Sequence, residues 1–79
     1  MEGLILDEEL LLALADLDEE KTLAIVQKML HAGCSPVKVV EICQKGVEIV
    51  GQRYSKGEYY LSDLVMSEEI LREVMAILE

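Results

Sequence analysis

Few side chains in this sequence are of types that perform chemistry, and their spacing limits what they can do. His31 is the single histidine. It has the chemistry of a base or a metal ligand, but no second ligand stands at metal-binding spacing. Its place in the last turn of a helix suits an electrostatic role beside the carbonyls exposed there. Asp16, Asp18, Glu19 and Glu20 crowd four carboxylates into a short break. They lack the alternating oxygen ligands and central glycine of a calcium loop, so they read as a solvated, acidic helix start. Cys34 stands at a helix junction, a position at which reactive cysteines are found in other proteins. With no histidine partner and no nearby second thiol, it reads as a small packing residue. Cys43 falls on an apolar seam and reads the same way. There is no glycine-rich phosphate loop and no Ser–His–Asp set. As an enzyme in its own right the chain is a poor candidate.

One stretch departs from plain packing: Val50–Glu69, VGQRYSKGEYYLSDLVMSEE. It brings Tyr54, the Gly57 turn, Tyr59, Tyr60 and Leu61 into one helix end and loop. Loops run over the surface and are usually polar. This one either folds back on the protein or presents an apolar patch to something else, and burial of apolar area favours the first.

All of these residues sit on or between helices. Leu4, Ile5, Leu6, Leu10, Leu11 and Leu14 recur at steps of three and four, as on one side of a helix. After the acidic break, where Asp16 or Asp18 can cap, Leu23, Ile25, Val26, Met29 and Leu30 form a second periodic stretch that stops at Gly33. Ser35-Pro36 restarts the chain as a capped helix. That helix runs to about Ser55, with Val39, Val40, Cys43, Val47, Val50 and Tyr54 on its seam. Gly46 and Gly51 lie inside it at about 1 kcal/mol each relative to alanine, which points to close approach by another helix or a ligand. Gly57 ends it. Ser62 can cap a last helix carrying Leu64, Val65, Ile70, Leu71, Val74, Met75 and Leu78. No stretch alternates as a strand would. The fold class is all-α, a small four-helix bundle with short connections.

The 79 residues suffice for one domain, residues 1–79. Three tyrosines are the only aromatics, so the core must be aliphatic. Seven basic against sixteen acidic residues give a net charge of −9, which repels phosphate backbones and anionic headgroups and argues against nucleic acid and membrane partners. The apolar run Leu10–Ala15 is far short of the roughly 20 residues that cross a bilayer. Acidic Glu2, Asp7, Glu8 and Glu9 stand where a signal peptide would need positive charge. Two well-separated cysteines read as reduced thiols of a cytoplasmic protein.

The unusual stretch resembles the helical cap module that precedes the cobalamin-binding domain in methionine synthase and in the corrinoid proteins of methanol, methylamine and related methyltransferase systems. That family spaces a glycine, two residues, an aromatic, two residues, a glycine, two residues, an aromatic and a leucine. Gly51, Tyr54, Gly57, Tyr60 and Leu61 match this spacing. Asp63 and the run Met66-Ser67-Glu68-Glu69 are similar to the family's last helix. The Asp18-Glu19-Glu20 start, the Gly33–Pro36 junction and Gly46 also fall where such modules have theirs, so the resemblance covers essentially the whole chain.

What the resemblance implies is a lid and not a catalyst. Such a module covers the upper face of a corrin, where cobalt carries the chemistry. Apolar side chains exclude water, and the lid swings away for methyl transfer. By resemblance Tyr54 lies against the upper face, Leu61 beside it and Leu64 one turn further on, with no catalytic residue and no metal ligand in the chain. Tyr54 stands where many members carry Phe, and Ser62 where proline is common. The Asp-x-His-x-x-Gly motif that supplies the lower axial histidine would begin after Glu79, and His31 matches no such motif. The implied partners are a cobalamin-binding domain in a parent protein and methyltransferase subunits, with no cofactor expected on this chain alone. Two other readings remain: a free-standing interaction module that dimerises through its Tyr59–Leu64 surface, and an enzyme using Cys34.

Overall fold

The computed structural model describes residues 2–79, and side chains from Ile5 onward. The expected place of Leu4 on the first helix's packed side lies outside the described side chains. Four helices follow one another: α1 (Glu2–Ala15), α2 (Glu19–His31), α3 (Pro36–Ser55) and α4 (Leu61–Leu78). Among the described residues there is no strand. The shape measures 37 × 26 × 19 Å. Its thinnest dimension is about two helix layers, since packed helices sit roughly 8–10 Å apart.

Short connections make the helices run up and down in turn, and each helix end shows why it stops. The Asp18 carboxylate accepts from the Lys21 amide at 3.1 Å to start α2, while the buried Thr22 hydroxyl donates to the Asp18 carbonyl at 2.7 Å. Ser35 accepts from the Val37 amide at 3.2 Å to start α3, with Pro36 just inside. Helices α2 and α3 close through Gly33 (φ +89°) and Gly57 (φ +81°). Gly33 donates to Leu30 and Cys34 to Met29; Gly57 donates to Tyr54 and Glu58 to Arg53. These paired bonds satisfy carbonyls the helix itself leaves free. α1 ends by the same motif, but with Leu17 at φ +59° in the position usually given to glycine. The left-handed turn costs about 1–2 kcal/mol for a residue with a Cβ. Leu17 offsets this by packing its side chain against the core.

The core is aliphatic, as the composition requires. Leu10 and Leu14 of α1, Val26 and Met29 of α2, Val39 and Cys43 of α3, and Ile70 and Val74 of α4 are fully buried. Four positions named in the periodic reading differ from it, since Ile5, Tyr54, Val65 and Met75 are exposed. Ile5 is exposed, as is Leu12 seven residues on; both sit on the outer face of α1. On α3 the buried line runs through Ile42 and Gly46 to Val50 and stops before Tyr54. Gly46 is where α1 and α3 touch: a Cβ there would lie 3.1 Å from Leu14 Cβ and 3.2 Å from the Leu11 carbonyl oxygen.

Candidate functional site

The end of the bundle that holds the α1–α2 break also holds the α3–α4 handover, and one arginine joins them. Arg53, in the last turn of α3, shares the protons of Nη1 among the Ala15 carbonyl oxygen (2.9 Å), the Asp16 carboxylate (2.8 Å) and the Tyr59 hydroxyl (3.0 Å). The Tyr59 hydroxyl in turn donates to the same Ala15 carbonyl at 2.7 Å. The guanidinium lies 5.6 Å from the Tyr59 ring centre, within cation–π range. The hydrogen bonds Arg53 donates to Asp16 and then to Tyr59 push its pKa above its already high ordinary value, so its charge is permanent. That charge stands at the α1 C-terminus, where a cation is favoured, and bonds the Ala15 carbonyl there. Periodicity carried no sign of this node. The one available signal was a basic residue closing α3 in a chain with an acidic break at the end of its first helix.

The node divides the two adjacent tyrosines. Tyr59 folds back onto the bundle, as burial predicted for the loop. Tyr60 and Leu61 do not: they are 78% and 65% exposed. Tyr54 is 43% exposed, and Val65 and Met66 of the first α4 turns are also exposed. Five of the nine large exposed hydrophobics among the described side chains thus fall between residues 54 and 66. Such clustering, more than any single exposed residue, marks an interaction surface. Leu64 is half-buried and shares a helix face with Leu61, three residues before it. Gly51, one turn before Tyr54 on α3, has nothing within 4 Å of where a Cβ would stand. Its helix cost is therefore not explained by packing in this chain, in contrast to Gly46.

The start of α4 also differs from expectation. Ser62 does not cap it. The Asp63 carboxylate reaches back and accepts from the Tyr60 amide at 2.8 Å, and the Asp63 amide donates to the Tyr60 carbonyl at 2.9 Å. Tyr60 is the cap residue, held extended at φ −100°, ψ 170°.

The remaining candidates are scattered. His31 and Cys34 lie at the opposite end of the bundle, along a groove shared with Ile5, Leu6, Glu9 and Lys28. Asp16 pairs with Arg53, and Asp18 caps α2. Among the described residues no group of three or more His, Cys, Asp or Glu is placed to hold a metal. Cys43 is fully buried, and burial pushes its thiol up to about 11. No helix of the described residues is long and apolar enough to cross a membrane.

Comparison with known proteins decides the family. A family model described as a B12 binding domain matches residues 6–79. The chain belongs to the B12 binding domain family. A corrinoid protein of Desulfitobacterium hafniense (strain Y51) is similar to this B12 binding domain, with 36% identity over 73 residues. The match takes in 91% of the chain but 34% of that relative, so the chain spans about a third of the relative's length. No solved structure matches. The exposed surface therefore belongs to a helical cap-type module of the cobalamin-binding kind.

Proposed function

We propose that this B12 binding domain is the cap of a corrinoid protein that lies over the upper face of cobalamin and shields it during methyl-group transfer. The observation that carries the reading is the joint exposure of Tyr54, Tyr60 and Leu61 at one helix handover. Tyr54, Leu61 and Leu64 are the residues that would touch the cofactor. Bound cobalamin would supply the methyl-carrying cobalt chemistry. The chain's own side chains exclude water from it, and the open flank of Gly51 leaves room for the edge of a flat ring. The fit is one of surface and not of coordination, since His31 stands at the far end of the bundle. The lower ligand and most binding contacts would come from a cobalamin-binding domain beyond Glu79. Methyltransferase subunits would reach the metal when the cap swings aside, as in the methionine synthase type. Two free thiols fit a cytoplasmic protein.

The test is photolysis of methylcobalamin in the protein that carries this cap with its cofactor domain. Tyr54→Ala and Leu61→Ala should each speed light-driven loss of the methyl group. Unchanged rates in both variants would remove the shielding role. The 79-residue chain alone is expected to bind methylcobalamin weakly or not at all.

The same exposure supports a second reading, self-association of the isolated module. With Tyr59 turned inward, the surface available is Tyr60–Leu64. Sedimentation at several concentrations discriminates, because a strict monomer eliminates it.

A further inference from the structure

We infer that Arg53 and Tyr59 are positioning residues: they select which of two adjacent tyrosines faces outward and so set the surface that Leu61 presents. The inference rests on the cap reading for its functional meaning, but its geometry stands on this chain. The handover from α3 to α4 offers two aromatic rings in sequence, Tyr59 and Tyr60, of the same type and size. A slip of one residue would turn Tyr60 inward and carry Leu61 with it. Apolar burial alone does not separate the two arrangements, because either ring covers similar area.

Hydrogen bonding separates them. With Tyr59 inward, its hydroxyl donates to the Ala15 carbonyl and accepts from Arg53, and the guanidinium lies within cation–π range of its ring. The backbone agrees with the side chain, since the Glu58 and Tyr59 amides both donate to the Arg53 carbonyl, at 2.8 and 3.3 Å. Arg53 therefore holds the turn through its main chain and the ring through its side chain. Beyond the turn, Asp63 fixes the Tyr60 amide, which leaves the Tyr60 ring and Leu61 in solvent. The anchor, Ala15 with its neighbour Asp16, belongs to α1, so the orientation of the surface is referred to the opposite pair of helices.

Hydrogen exchange of the 79-residue chain, without cobalamin, tests this. The amides of Glu58, Tyr59, Tyr60 and Asp63 report the turn, and those of Val26, Cys43, Val50 and Val74 report the core. Tyr59→Phe keeps the ring and removes the hydroxyl; Arg53→Gln removes the charge and the fork. Each should speed exchange of the four turn amides about three- to tenfold and leave the core amides unchanged. Turn amides that do not respond, or that speed up only in step with the core, would overturn the inference. If one variant fails to fold, the other decides by the same comparison. Because no cobalamin is present, this result is independent of the photolysis test of the cap itself.

Discussion

Gly46 of α3 lies so close to Leu14 of α1 that a Cβ on the glycine would stand 3.1 Å from both the Cβ and a Cδ atom of the leucine. The Leu11 carbonyl oxygen, at 3.2 Å, closes the remaining side, and a backbone atom cannot yield as a side-chain tip can. Gly46→Ala therefore pits a helix-propensity gain of about 1 kcal/mol against overpacking of roughly 1–3 kcal/mol. We expect a chain about 1 kcal/mol less stable, with Tm roughly 4–8 °C lower in a thermal melt. A rise in Tm would show that the helices can move apart freely.

Gly51→Ala should do the opposite. Nothing stands within 4 Å of the new methyl group, so the helix gain of about 0.5–1 kcal/mol is realised in full and Tm rises. In the protein that holds cobalamin, the same methyl occupies the free flank beside Tyr54. There we expect faster methylcobalamin photolysis despite the greater stability. A variant that is stabilised and equally well shielded would mean that Gly51 leaves room for nothing.

The two thiols should separate cleanly. At pH 8 a thiol reagent is expected to label half-buried Cys34 and to reach fully buried Cys43 only on unfolding. Burial pushes the Cys43 thiol from 9.0 to about 11 in the folded chain. The folded pKa is the higher one, so the contribution to stability is complete below about pH 9 and is lost as pH rises towards 11. Urea melts between pH 7 and 10.5 should show this loss, and Cys43→Ala should lack that component. Equal labelling of both thiols at pH 8 would contradict the burial.

Asp63→Ala removes the carboxylate that accepts from the Tyr60 amide at the start of α4. We expect a cost of about 0.5–2 kcal/mol, measured by denaturant melts, in the usual range for losing a helix-start acceptor. Ser62→Ala should cost much less, because Ser62 is not the cap. The reverse order would restore the sequence-based assignment of the cap.

Much of the fold could be read from spacing. Apolar steps of three and four, Ser35-Pro36 and the glycines at 33 and 57 mark the helices closely, because caps and turns are local and depend on residues a few positions apart. The matched spacing from Gly51 to Leu61 was equally legible, since it too is a local pattern. Leu17 was not. A leucine in a glycine conformation is tolerated only because the core receives its side chain, and the core is not visible from neighbouring residues.

Composition and short-range spacing suffice for the all-α class, the aliphatic core, the family spacing and the helix boundaries other than the start of α4, where Tyr60 and not Ser62 is the cap. Which side of each segment meets another is settled by the packing of the four helices. Tyr59 and Tyr60 are the same residue type one position apart, yet one donates to Ala15, 44 residues earlier in the chain, and the other lies in solvent. Gly46 and Gly51 are both helix-interior glycines, yet one is pressed against Leu14 and the other faces open space. Local propensity treats each pair alike. The difference comes from partners distant in sequence, whose positions are fixed only once the four helices have packed.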